Sequence, residues 1–111
     1  MTSITIETGS GNVYADLGMA DAQEMLVKAK LASKIGDIIK RQNLTQQQAA
    51  ELLAMPQPKV SMLLRGQFRG ISEAKMLECL ARLGRDIDIV VKPARRRALA
   101  GASGRVNVVF A

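Results

Sequence analysis

Residues 44–67, LTQQQAAELLAMPQPKVSMLLRGQ, admit very few folds. Thr45 followed three positions later by Gln48 has the form of a capping box, and Leu44 stands where a hydrophobic staple to Ala49 would form. Ala49, Leu52 and Leu53 recur at helical spacing and mark an inward face. A second helical spacing, Val60, Leu63 and Leu64, begins a few residues later. The stretch between them, Ala54-Met55-Pro56, is long enough only for a tight turn. Two short helices so joined form a helix-turn-helix. Ala50 falls where the helices cross closely and a small side chain is required. Ala49, Leu53, Met55, Val60 and Leu63 fall where the second helix must meet the core, and all of them are apolar.

Two prolines stand at the entrance of the second helix. Pro58 falls in its first turn, where a missing N–H has no intrahelical partner to lose. The residue before a proline resists helical angles, so Gln57 is expected to act as the cap. Pro56 stiffens the turn. The stretch MPQPKVS therefore reads as a rigid entrance that presents Gln57.

The flanking sequence extends the helical body. Asp21 and Glu24 resemble a capping box opening a helix that runs to about Gln42. Its apolar stripe is Met25, Ala29, Ala32, Ile35 and Ile39, widened by Leu31 and Ile38, and Asn43 is suited to end it in the left-handed conformation. Ser72 caps a helix over 73–83 with Met76, Leu77, Leu80 and Leu83 inward, ended by Gly84. Then the period changes. DIDIVVK, 86–92, places Ile87, Ile89 and Val91 on one face of a strand and Asp86, Asp88 and Lys92 on the other. RVNVVF, 105–110, reads as a last strand with Val106, Val108 and Phe110 on one side. Lone strands cannot stand by themselves. Pairing of 86–92 across a two-fold axis would bury Ile87, Ile89 and Val91 and make a homodimer.

Composition limits the function. The chain has 111 residues, enough for one domain, and 48% are hydrophobic with only 3% aromatic. Its core must therefore be built from aliphatic side chains and methionine. A net charge of +6 favours a polyanionic partner, a nucleic acid or an anionic membrane surface. With no histidine and a single cysteine, Cys79, neither a zinc site nor an internal disulfide is expected. No cofactor is expected either, and no titratable constellation suggests an enzyme. Cys79 reads as a small core residue, because no histidine is present to activate it. Asp86 and Asp88 share a strand face, where charges limit unwanted edge pairing; the alternative is a carboxylate pair or a metal site. No apolar run is long enough to span a membrane and no signal segment opens the chain, so a cytoplasmic location is expected.

Residues 44–67 resemble the Cro/repressor-like (XRE) helix-turn-helix family. The family implies a mainly α, lambda-repressor-like bundle of about five helices that docks its third helix in the DNA major groove. The chain departs from the family in two places. Ala54 stands where a glycine is usual in the turn, and Pro56 where a serine or threonine usually caps the recognition helix. Residues 13–93 further resemble the HigA-like antitoxins within that family. That likeness implies a homodimeric repressor of its own operon that also binds a small ribonuclease toxin. The chain then divides into an N-terminal arm and short turn, 1–20, a DNA-binding domain, 21–85, and C-terminal strands with a basic linker, 86–111.

In the groove, Gln57, Ser61 and Arg65 are the expected polar readers of bases, with Pro58 and Met62 as apolar contacts. Glutamine pairs bidentately with adenine, arginine with guanine, and apolar atoms meet the thymine methyl. Met62 could equally be an ordinary surface residue or a subunit contact. Gln46, at the start of the first helix of the pair, is placed to bind a phosphate with nearby free N–H groups. Lys59, Gln67 and Arg69 border the same surface as phosphate contacts, with Lys40 and Arg41 as an extension; the plain alternative for Lys59 and Arg69 is a solvated charge. Arg95, Arg96 and Arg97 read either as a minor-groove arm or as a solvated linker. The expected partners are double-stranded operator DNA, a second copy of the chain and a ribonuclease toxin. A regulator without a toxin, and a protein-interaction module on the same fold, are the competing readings.

Overall fold

The computed structural model describes residues 19–93 and 104–111; the expectations for residues 1–18 and for Arg95, Arg96 and Arg97 lie outside them. Four helices follow in order: α1 (Met19–Arg41), α2 (Gln46–Leu53), α3 (Gln57–Leu64) and α4 (Glu73–Arg82). The described residues thus hold four helices rather than about five. α1 packs against α3 and α4, and α2 packs against α3 and α4.

All four helices end in the same way. In a Schellman ending, the residue after the helix is left-handed and two N–H groups return to carbonyls of the last turn. Asn43 (φ 55°) does this for α1, with Leu44 N–H donating to the Ile39 carbonyl at 3.1 Å. Gly66 (φ 82°) does it for α3 and Gly84 (φ 95°) for α4. The matching bonds run from Gln67 N–H to the Met62 carbonyl at 2.8 Å and from Arg85 N–H to the Leu80 carbonyl at 3.0 Å. At α2 the left-handed position is Ala54 (φ 55°, ψ 47°), with Met55 N–H bonded to the Ala50 carbonyl at 3.0 Å. A side chain there costs about 1–2 kcal/mol that glycine avoids. The buried Met55 just beyond supplies the apolar contact that accompanies such an ending.

The expected starts of α2 and α4 are present. Gln48 N–H donates to Thr45 Oγ1 at 3.0 Å, and Thr45 N–H donates to Gln48 Oε1 at 2.9 Å. Ser72 Oγ accepts from Lys75 N–H at 3.0 Å. Two starts differ from expectation. α1 begins at Met19, so Asp21 lies inside the helix and not at its cap. α3 begins at Gln57, and its cap is Pro56 (φ −61°, ψ 142°), which has no side-chain bond to offer. Pro56 already has the extended ψ a cap requires, and its carbonyl accepts from Lys59 and Val60 N–H at 2.9 and 3.2 Å. Pro58 lies at the second helical position and brings no N–H that needs a partner.

One cluster forms the core. α1 contributes Val27, Leu31, Ala32, Ile35, Ile38 and Ile39; α2 contributes Ala49, Ala50 and Leu53. α3 adds Val60 and Leu63, and α4 adds Met76, Cys79 and Leu80, with Leu83 just beyond it. Met55, Phe68 and Ile71 enter from the connections. Met25 and Ala29 are only partly buried, so the buried stripe of α1 runs through Val27, Leu31, Ile35 and Ile38. Leu64 and Leu77 are likewise half-buried and Leu52 is exposed. Burial pushes the Cys79 thiol up from its ordinary pKa, and its S–H donates to Met55 Sδ at 3.5 Å. Cys79 is therefore core, as its place beside the stripe implied.

The two expected strands do not form in the single chain: no residue of 86–92 or 105–110 carries strand pairing. Extended backbone needs a partner for its N–H and C=O groups, and here neither segment pairs with the other. Ile87 turns into the helical core, whereas Ile89, Val90 and Val91 remain 77%, 76% and 92% exposed. The C-terminal segment lies along α1. Val106 N–H donates to Gln23 Oε1, Val108 packs against the core, and the Phe110 ring lies 5.9 Å from Lys30 Nζ and 5.3 Å from Lys34 Nζ.

Candidate nucleic-acid interface

The turn Ala54-Met55-Pro56 brings the N-termini of α2 and α3 together. Gln46 and Gln57 are the first residues of those helices. Gln57 Nε2 donates to Gln46 Oε1 at 2.7 Å, across 11 residues of chain. This bond leaves Gln46 Nε2 free to donate outward. It also leaves the Oε1 and one N–H of Gln57, the acceptor and donor that an adenine edge requires. The sequence gives the two glutamines different tasks, one on a base and one on a phosphate, and no spacing rule reveals that they bond.

The electrostatics of this edge suit an anion. Neither α2 nor α3 has an acidic residue in its first turn, whereas α4 has Glu73 in its own. The positive ends of both helix dipoles therefore face outward without a carboxylate to offset them. Among the described residues, Lys59, Arg65 and Arg69 enter no ion pair. Three other cations are committed to carboxylates. Arg41 pairs with Asp37 at 3.3 Å, and Lys75 and Arg82 share Glu78 at 3.4 and 2.9 Å.

α3 divides cleanly into two faces. Val60 and Leu63 are buried, with Leu64 half-buried against the same core. Its seat is close: a Cβ on Gly36 of α1 would lie 3.4 Å from Leu64 Cδ2. On the outer side Pro58, Lys59 and Met62 are exposed, Met62 at 40%, and Gln57 and Ser61 are half-buried. Arg65 is exposed just past the last turn, and Gln67 and Arg69 are exposed in the loop beyond. Lys40, at the end of α1, is exposed as well. Gln57, Pro58, Ser61, Met62 and Arg65 thus all belong to α3 and its cap, while Gln46 joins them from α2 through the bond to Gln57.

This arrangement matches known proteins. A helix-turn-helix domain family model fits residues 13–92. A solved structure provisionally named as an XRE family transcriptional regulator superposes with a TM-score of 0.73 at 35% identity, covering 82% of this chain and 99% of that one. The chain belongs to the XRE helix-turn-helix family. No curated protein sequence matches it. As a member of this family it is a DNA-binding transcriptional regulator, and α3 is the second helix of its helix-turn-helix.

Among the described residues no group of His, Cys, Asp and Glu is placed to hold a metal ion, and no helix is long and apolar enough to cross a membrane. Asp86 and Asp88 are exposed and form no such group.

Proposed function

We propose that this XRE-family protein is a sequence-specific operator-binding repressor. α3 enters the major groove, with Gln57, Ser61 and Arg65 as polar readers and Pro58 and Met62 as apolar contacts. Gln46, Lys59, Gln67 and Arg69 hold phosphates. The observation that carries this reading is the Gln57–Gln46 bond of 2.7 Å. It joins the reading helix to the anchoring helix, so the residue on the base and the residue on the phosphate are oriented by one contact.

A single module of this kind buries modest surface, and two-fold dimers gain a second half-site about one DNA turn away. The exposed run Ile89-Val90-Val91 supports a homodimer formed by pairing residues 86–92 of two copies. Ile87, partly buried against the helical core of its own chain, adds only its remaining exposed surface to that contact.

The resemblance of residues 13–93 to HigA-like antitoxins extends the reading to a repressor that also neutralises a ribonuclease toxin encoded beside it. Protection of the promoter DNA by the purified protein, with and without the product of the neighbouring gene, tests both levels. Protection of a defined two-fold site supports the repressor. A footprint altered by a co-purifying neighbour supports the antitoxin. No salt-sensitive protection at all would instead make the fold a protein-interaction module.

A further inference from the structure

Lys28 is the one charged side chain buried among the described residues, only 5% exposed. It lies on α1 beside Val27, and its Nζ is 3.3 Å from Glu24 Oε2. Its second partner is remote. Nζ donates to the main-chain carbonyl of Arg69 at 3.0 Å, across 41 residues of chain.

That carbonyl belongs to the tip of a tight turn. Ile71 N–H donates to the Phe68 carbonyl at 2.9 Å, which makes Arg69 and Gly70 the two central residues. Phe68 and Ile71 are buried on either side, and Arg69 and Gly70 are exposed between them. Two apolar anchors hold the base of the turn but leave its tip free to rotate about the line joining them. The ammonium of Lys28 is the third point. Burying an ammonium is costly unless it is paired and hydrogen-bonded, and a methionine would fill the same space without that cost. A lysine at this site is therefore explained by what it grips.

We propose that Lys28 is a positioning residue for DNA binding: by clamping the Arg69 carbonyl it fixes the 68–71 turn so that the Arg69 guanidinium is presented to a backbone phosphate. This inference rests on the reading of Arg69 as a phosphate ligand. Without the clamp the turn tip reorients, and the Arg69 guanidinium no longer reaches the phosphate.

The test is the salt dependence of binding to a mixed-sequence DNA duplex, because each neutralised phosphate adds about 0.9 to the slope of log K against log salt. Arg69→Ala is expected to lower that slope by about one. Lys28→Met should lower it by a similar amount, and the double variant no further. Lys28→Arg, whose guanidinium still donates to the carbonyl, should keep the full slope. Lys28→Gln, neutral and shorter, should behave as Lys28→Met, so the result does not depend on how one variant folds. Circular dichroism melting checks that each variant is folded; a purely structural role would move the melting temperature and leave the slope of the folded protein unchanged. If Arg69→Ala leaves the slope unaltered, the phosphate assignment fails and the clamp with it. If Arg69→Ala lowers the slope while Lys28→Met does not, the clamp alone is overturned. Additive losses in the double variant, or equal losses in Lys28→Met and Lys28→Arg, also overturn it.

Discussion

Gln57 donates from Nε2 to Gln46 Oε1 at 2.7 Å, so the first residues of two consecutive helices are locked to each other at the edge of the helix-turn-helix. A glutamine that reads a base must arrive with its amide already oriented, since a flexible amide loses rotamer freedom on binding. Replacing Gln57 with alanine is expected to weaken operator binding by about 1–3 kcal/mol and to relax preference at one base pair. Gln46→Ala should lose the same preference in part while its phosphate contact is lost in full. Competition binding against operators substituted at single positions separates the two effects.

Arg65 and Lys59 are both exposed and outside any ion pair among the described residues, yet they should behave differently. Arg65→Ala is expected to cost about 1–3 kcal/mol on the operator and little on random DNA, as for a guanine contact. Lys59→Ala should weaken all sequences alike and reduce the salt slope by about one. If Arg65→Ala changes neither affinity nor specificity, the assignment of the reading face is wrong.

Ala54 holds a left-handed conformation that glycine or asparagine holds at the ends of the other three helices. Ala54→Gly removes a strain of about 1–2 kcal/mol and adds back part of it as unfolded-chain entropy. The expected net gain is about 0.5–1 kcal/mol, which for a domain of this size raises Tm by a few degrees. Thermal unfolding followed by circular dichroism measures it, and an unchanged or lower Tm would contradict the strain argument.

The hydrogen bond from the Arg82 guanidinium, joined by the Lys75 ammonium, holds the Glu78 carboxyl below its ordinary pKa. A carboxyl whose pKa is depressed on folding stabilises the protein above its unfolded pKa, and that contribution is lost as the pH falls through the folded value. Glu78 is a surface group, so the effect is small. The expected outcome is a slightly shallower acid decline of Tm in Glu78→Gln than in the wild type, with the curves converging at low pH.

Ile89 and Val91 are exposed in the single chain, at 77% and 92%. If they form the dimer seam, Ile89→Asp with Val91→Asp should give a monomer in sedimentation velocity where the wild type is a dimer. A wild type that sediments as a monomer at micromolar concentration would remove the seam altogether.

The sequence by itself determined the local devices of this protein. The Thr45–Gln48 box, the Ser72 cap and the stops at Asn43 and Gly84 depend on groups within a few residues of one another, so their spacing is enough to reveal them. The apolar slots of the helix-turn-helix are legible for the same reason: a helical period places Val60 and Leu63 on one face whatever lies opposite. Tertiary structure decided the rest. It turned α1 so that Val27, rather than Met25 or Ala29, is buried, and drew Ile87 into the core while Ile89 and Val91 stayed out. It also joined Gln46 to Gln57 and Lys28 to Arg69 across 11 and 41 residues. Those contacts depend on how helices dock in three dimensions, and a one-dimensional period carries no information about which neighbour a face will meet.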